Sequence, residues 1–209
     1  SLIDISDLWV EISGLVSGVP HDLSLDQDPT NTEVYDDLSQ VYWTTIDVPR
    51  DTARLVAEIV ASEASDVDLF IGIGDTPSED TELCESASET WVEYCNLDYP
   101  ERGTYWVLVQ NWWGSGEPPD AIRAITALVP NEDAGNLTVT DLAAVPALEQ
   151  FILDVSWDEP SMVDGDFWYA KISVGTERLE PGNLGTINVD LVFGVLKPGV
   201  SVLARRMGN

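Results

Sequence analysis

Apolar and polar residues alternate one by one along much of this 209-residue chain, and a period of two is the signature of β-strands rather than helices. In Phe151-Ile152-Leu153-Asp154-Val155-Ser156-Trp157 the residues Phe151, Leu153, Val155 and Trp157 fall on one face, with Asp154 and Ser156 opposite. Such a segment predicts a half-buried antiparallel strand. Trp168–Val174 and Ile187–Leu191 repeat the pattern, with polar residues again at alternate positions. Ala53–Val60, Val67–Ile73 and Gly103–Val109 are apolar on both parities and rich in β-formers, as central strands are. Long stretches of helical period do not occur. Ala121–Val129 is ambiguous, because its alanines favour helix while Ile122, Ala124, Thr126 and Leu128 alternate; a closing strand is the expectation.

The segments between the strands carry turn chemistry, as in Gly74-Asp75-Thr76-Pro77-Ser78, Gly114–Asp120 and Pro181-Gly182-Asn183. Strands punctuated at such short intervals predict an all-β fold of two antiparallel β-sandwich domains, jelly-roll or Ig-like, in tandem. Pro130–Asn136 has no hydrophobic face and is expected to separate them. The expected division is an N-terminal segment 1–40, a first sandwich 41–130 and a smaller Ig-like sandwich 134–209. Within 1–40 only Leu8–Ile12 reads as a strand, followed by an acidic loop from Asp22 to Asp37. That opening belongs either to the first sandwich or to the end of a preceding domain.

The chain carries 38 Asp and Glu against 9 Lys and Arg, a formal net charge of -29. A hydrophobic content of 44% with 8 Trp is too apolar for a disordered acidic tail, so the acid coats a folded body. Such a surface repels phosphate backbones and anionic headgroups, which argues against nucleic acid and membrane partners. It suits divalent cations, basic partners or a salty medium, or serves solubility alone. Cys84 and Cys95, close in sequence and near expected strand ends, predict a disulfide closing one loop, the alternative being two unpaired core thiols. A disulfide points to a secreted, extracellular protein. No apolar run approaches the roughly 20 residues of a membrane span, and no signal peptide is read. The expectation is a mature internal or C-terminal piece of an exported protein.

From about Tyr42 to Ala127 four pieces occur in a set order: an aromatic strand leading to Val48-Pro49, then Thr52-Ala53-Arg54-Leu55, then Ser65–Ile71, then Gly103–Val109. Pro77-Ser78 and Ser88-Glu89 fall between them. In this arrangement the region resembles the bacterial pre-peptidase C-terminal domain, a sandwich appended to secreted peptidases. Residues 134 to 192 look like the small Ig-like module that follows it in subtilisin-like serine peptidases. Gly194–Asn209, with Arg205-Arg206, matches nothing in that pattern. The resemblance implies a non-catalytic accessory region that aids export, folding or binding of a polymeric protein substrate, with a parent catalytic domain as partner. It implies no required cofactor, with calcium as an option.

The residues themselves offer little catalytic chemistry. The single histidine, His21, is expected in the acidic loop beside Asp22, and no Gly-x-Ser-x-Gly elbow occurs. Asp66 and Asp68 share one side of a strand, and with Asp75 or Glu63 they would offer calcium the oxygen ligands it requires. Alternatively the second Asp accepts hydrogen bonds from loop amides and pins a turn. Asp164-Gly165-Asp166 reads as an acidic turn, and Asn136-Leu137-Thr138 as a chance match to a glycosylation acceptor. Trp106, Trp112 and Trp113 lie along one strand that runs into a Gly/Pro loop. Consecutive Trp112 and Trp113 cannot both face inward if the strand continues, so they are candidate substrate-binding residues. Their alternative role is to plug the sandwich end. Two further functions stay open: a carbohydrate-binding module using these tryptophans, and a calcium-rigidified structural spacer.

Overall fold

The computed structural model describes residues 8–140, 144 and 152–194. Among them the fold is all-β, with antiparallel sheets and one 3-10 turn, Glu79–Thr81. The chain divides into two compact units, one of residues 18–128 and one of residues 1–17 with 129–209. No described helix is long and apolar enough to cross a membrane.

Residues 18–128 form two four-stranded sheets. The strands are β2 (Val19–Leu25), β3 (Tyr42–Val48), β4 (Thr52–Ser62), β5 (Asp66–Ile73), β6 (Glu82–Ser86), β7 (Tyr94–Asp98), β8 (Gly103–Trp113) and β9 (Asp120–Pro130), the last ending just past this unit. β1 (Trp9–Ser17) lies in the other unit. One sheet has the order β2-β9-β4-β7 and the other β3-β8-β5-β6. Leu55, Ala57 and Ile59 of β4, Val67, Leu69 and Ile71 of β5, and Tyr105, Val107 and Val109 of β8 meet in one core. These are the odd positions of each strand, so one parity of each sheet turns inward and the two sheets form a sandwich. Cys84 on β6 and Cys95 on β7 form a disulfide that ties the edge of one sheet to the edge of the other.

The ambiguous segment 121–129 is strand, lying in β9 between β2 and β4. The acidic loop expected from Asp22 begins later, because Val19–Leu25 pairs with β9. Pro20 obscures this strand, and it is tolerated because β2 is an edge with one unpaired side. Leu23 and Leu25 supply its inward face.

The other unit holds a three-stranded sheet in the order β1-β12-β13 and a two-stranded sheet, β10-β11. Here β10 is Leu137–Val139, β11 is Val155–Trp157, β12 is Phe167–Gly175 and β13 is Gly185–Val192. Leu8, Leu15, Leu137, Met162, Trp168, Ala170 and Ile172 form its core. Leu8–Ile12 therefore leads into a nine-residue strand that pairs with β12. The strand expected over 151–157 is shorter, covering Val155–Trp157, with Phe151 outside the described residues. Lys171 and Ser173, expected to face water, are buried, since β12 is the central strand and is covered on both faces. Asp164–Asp166 is a turn in which Asp166 accepts from the Val163 amide. Asn136 accepts from the Leu15 amide and donates to the Leu15 carbonyl and to Glu159, so its side chain acts as a clamp rather than a free acceptor for sugar.

Candidate binding cleft

Where the odd residues of β5 and β8 fill the sandwich, the even ones must lie on the sheet's other face. On β8 these are Trp106, Leu108 and Gln110, and on β5 they are Asp66, Asp68, Phe70 and Gly72. Such a face is expected to meet water, yet most of it is covered by the connection between β2 and β3, residues 26–41. Val34, Tyr35, Leu38 and Val41 pack with Phe70, Trp106, Leu108 and Trp43 in a second small core.

Polar contacts fasten this strap. Buried Gln110 donates to Asp28 Oδ2 at 2.6 Å and to the Asn31 carbonyl at 3.1 Å. The other oxygen of Asp28 accepts from the Thr30 amide, and Asn31 donates to the Trp112 carbonyl. Tyr35 donates to Glu82 at 2.7 Å. Burial, then this bond and the surrounding glutamates, push the Tyr35 hydroxyl far above its ordinary pKa. Gly72 makes room for the layer beneath, because a Cβ there would lie 2.0 Å from the Trp106 ring.

The strap leaves part of the face open. Between it and β6 runs a cleft of about 1190 Å³, with Asp66, Asp68 and Phe70 along β5 and Trp112 and Trp113 beside it. Glu33, Asp36, Glu79, Glu82, Glu85 and Glu89 also border it, and among the described residues no Lys or Arg does. Asp68 is 7% exposed, and no hydrogen bond or ion pair reaches its carboxylate among the described residues. Burial first, then the charges of Asp66, Glu93 and Glu85, push its pKa up to about 7. Asp66 Oδ1 is buried without a partner, and burial followed by Glu93 and Glu89 raises that carboxyl too. A carboxylate out of water normally gains compensating donors or a cation. Among the described residues Asp68 has neither, and Asp66 has only the Val67 amide, which leaves its Oδ1 without a partner.

Neighbouring acids show the contrast. Glu93, almost fully buried, accepts from the Ser86 hydroxyl and from the amide and hydroxyl of Ser88, which fixes the link between β6 and β7. Asp120 accepts from Asn111 at 2.9 Å and from the Ser115 amide, which fixes the loop after the tryptophans. Turn-pinning of the kind considered for Asp68 is thus done by Glu93, Asp28 and Asp120. Sequence patterning gave no hint of these three, since their role depends on which distant amides the fold brings to them.

Trp112 and Trp113 stack at a centroid distance of 6.2 Å and 28° between planes. The β5–β8 register skips at this point, with Asp66 opposite Trp113 and Val67 opposite Asn111. A bulge of this kind re-aims side chains, so consecutive indoles share a side. Trp113 is 56% exposed.

Trp106, grouped with them by sequence, is corrected: it is 0% exposed, and its indole N–H donates to Thr81 Oγ1 at 3.1 Å. Its even position puts it under the strap rather than in the cleft. The calcium shell of Asp66, Asp68 and Asp75 is also corrected. The eight residues of β5, at roughly 3.3 Å each, put Asp75 some 20 Å or more from Asp66. Glu63 is engaged elsewhere, accepting from the Ala121 amide. Among the described residues no three of His, Cys, Asp and Glu gather closely enough to hold a metal ion. His21 lies in β2 rather than in a loop, between the hydroxyls of Tyr42 at 3.0 Å and Thr126 at 2.9 Å. Burial lowers its pKa, and none of the three lines the cleft.

The cleft can therefore hold an extended ligand against an acidic floor and an aromatic wall. No protein-family model matches the chain, and no curated protein does.

Proposed function

We propose that this chain is a non-catalytic accessory region of a secreted peptidase, of the subtilisin-like kind its sequence resembles, and that the sandwich of residues 18–128 holds protein substrate in its acidic cleft. The observation that carries this reading is the juxtaposition of an open cleft of about 1190 Å³ with the stacked Trp112–Trp113 pair, the buried Asp68 and the half-buried Asp66. That volume accommodates several residues of polypeptide, and exposed aromatics beside polar groups are common features of binding surfaces. The disulfide agrees with life in an oxidising compartment.

The test uses the purified chain in two assays. It is expected to be retained on insoluble protein such as collagen, with retention lost in Trp113→Ala, and to leave casein uncut. Casein turnover overturns the non-catalytic half of the reading, and absence of retention on any insoluble protein overturns the other half.

The stacked tryptophans also favour a second reading, a carbohydrate-binding module, because indole faces stack on sugar rings. Retardation in polysaccharide gels that disappears in Trp112→Ala would select it.

A further inference from the structure

We infer that the cleft recognises a cationic side chain, the Lys or Arg of an extended polypeptide, which ion-pairs with Asp68 and Asp66 and lies against the Trp112–Trp113 stack. This rests on the reading of the cleft as a polypeptide-binding surface and adds the chemistry of its occupant.

Three observations converge on a cation. Asp68 is more than nine-tenths buried, lines the cleft and has no donor or cation among the described residues. Asp66, two residues along the same face of β5, has a buried oxygen that is equally without a partner. A buried carboxylate with no counter-charge is a costly feature that a bound cation would relieve. Around both, the border is acidic and contains no basic residue among the described residues, so its field attracts cations and repels anions.

The choice among cations follows from geometry. A bare metal ion needs several oxygens converging on one point, and among the described residues no three candidate ligands converge. The cleft is also far larger than an ion requires. A basic side chain differs on both counts: its charge sits on a flexible stem, and one or two carboxylates suffice. The aromatic stack beside the acids adds a surface on which a guanidinium stacks or over which an ammonium sits. A neutral sugar could use the indoles but would leave both carboxylates unneutralised.

The test is anisotropy of a fluorescein-labelled hexapeptide with one central Arg, titrated with the whole chain at about 0.15 M salt, the regime of a roughly 8 Å screening length. The comparison peptide carries citrulline, which keeps the shape and loses the charge. The Arg peptide is expected to bind at least tenfold more tightly, and Asp68→Asn and Trp113→Ala are each expected to weaken it tenfold or more. Asp75→Asn removes the same charge at the far end of β5 and is expected to leave affinity unchanged. Asp68→Asn relieves a buried charge, so it is expected to fold, which a thermal melt verifies. Equal binding of the two peptides overturns the inference. So does equal weakening by Asp68→Asn and Asp75→Asn, which marks diffuse attraction to an acidic surface. If insoluble protein is still retained in those cases, the accessory function stands without the cationic specificity. Loss of both, with retardation by polysaccharide, removes the two together.

Discussion

Asp68 illustrates how one buried side chain couples stability to pH. Its folded pKa, about 7, lies above the ordinary carboxyl value of 3.8, so the folded state holds a proton that the unfolded state releases. Stability linked to this group is present below the ordinary value and falls as pH rises through the interval from about 4 to 7. The acids facing it across the cleft floor, Asp66, Glu93 and Glu85, act in the same direction. A shift of some three pKa units corresponds to at most about 4 kcal/mol. Asp68→Asn is accordingly expected to raise Tm at pH 8 by several degrees and to flatten the decline between pH 5 and 8. Identical melting profiles for the two proteins would contradict this account of the site. Gly72 makes a different kind of prediction. A methyl group there has no space against Trp106, a fully buried ring held by Thr81, so Gly72→Ala is expected to cost roughly 2–3 kcal/mol in urea unfolding. An unchanged midpoint would mean that Trp106 repacks freely.

At the level of elements, the disulfide closes a loop of 11 residues between β6 and β7. Constraining a loop of this size contributes about 3 kcal/mol in the chain-entropy account. Reduction under mild conditions is expected to lower unfolding stability by that order, read as a shift in the urea midpoint. A midpoint indifferent to reductant would show that the sheets hold β6 and β7 without it. The same elements show what patterning can and cannot disclose. β5, β8 and β4 were legible because both parities are apolar, which occurs when a strand is covered on both faces. β2 was not, because Pro20, His21 and Asp22 occupy an edge where the rules for central strands are relaxed. The pairing of Cys84 with Cys95 was legible from proximity alone. The cleft was legible only in its parts: Asp66 and Asp68 share a face by strand parity, and at least one of Trp112 and Trp113 was expected outside. Their meeting is set by the β5–β8 register, which puts Asp66 opposite Trp113, and the cleft is completed by the strap of residues 26–41, docked through Gln110, Asp28 and Asn31; both are long-range pairings without local periodicity. Asp75 failed for the converse reason, since nearness in sequence along an extended strand is distance in space.

Over the whole molecule the dominant quantity is the net charge of -29. Like charges at that density repel one another in the compact state, and added salt screens them over about 10 Å at 0.1 M. Raising sodium chloride from 0.05 to 0.5 M is therefore expected to raise Tm by several degrees, and a Tm that falls with salt would reverse this view of the surface. The division of the chain has its own consequence. β1 ends at Ser17 and pairs with β12, which begins only at Phe167, while the 111 residues from Gly18 to Leu128 form a unit whose sheets close among themselves. As a ribosome delivers such a chain, the first strand emerges early and waits unpaired until its partner is made, whereas the cleft-bearing unit completes itself in the interval. A truncation keeping 18–128 would thus retain every residue of the acidic floor, whereas a deletion of the first 17 would leave β12 with a bare edge.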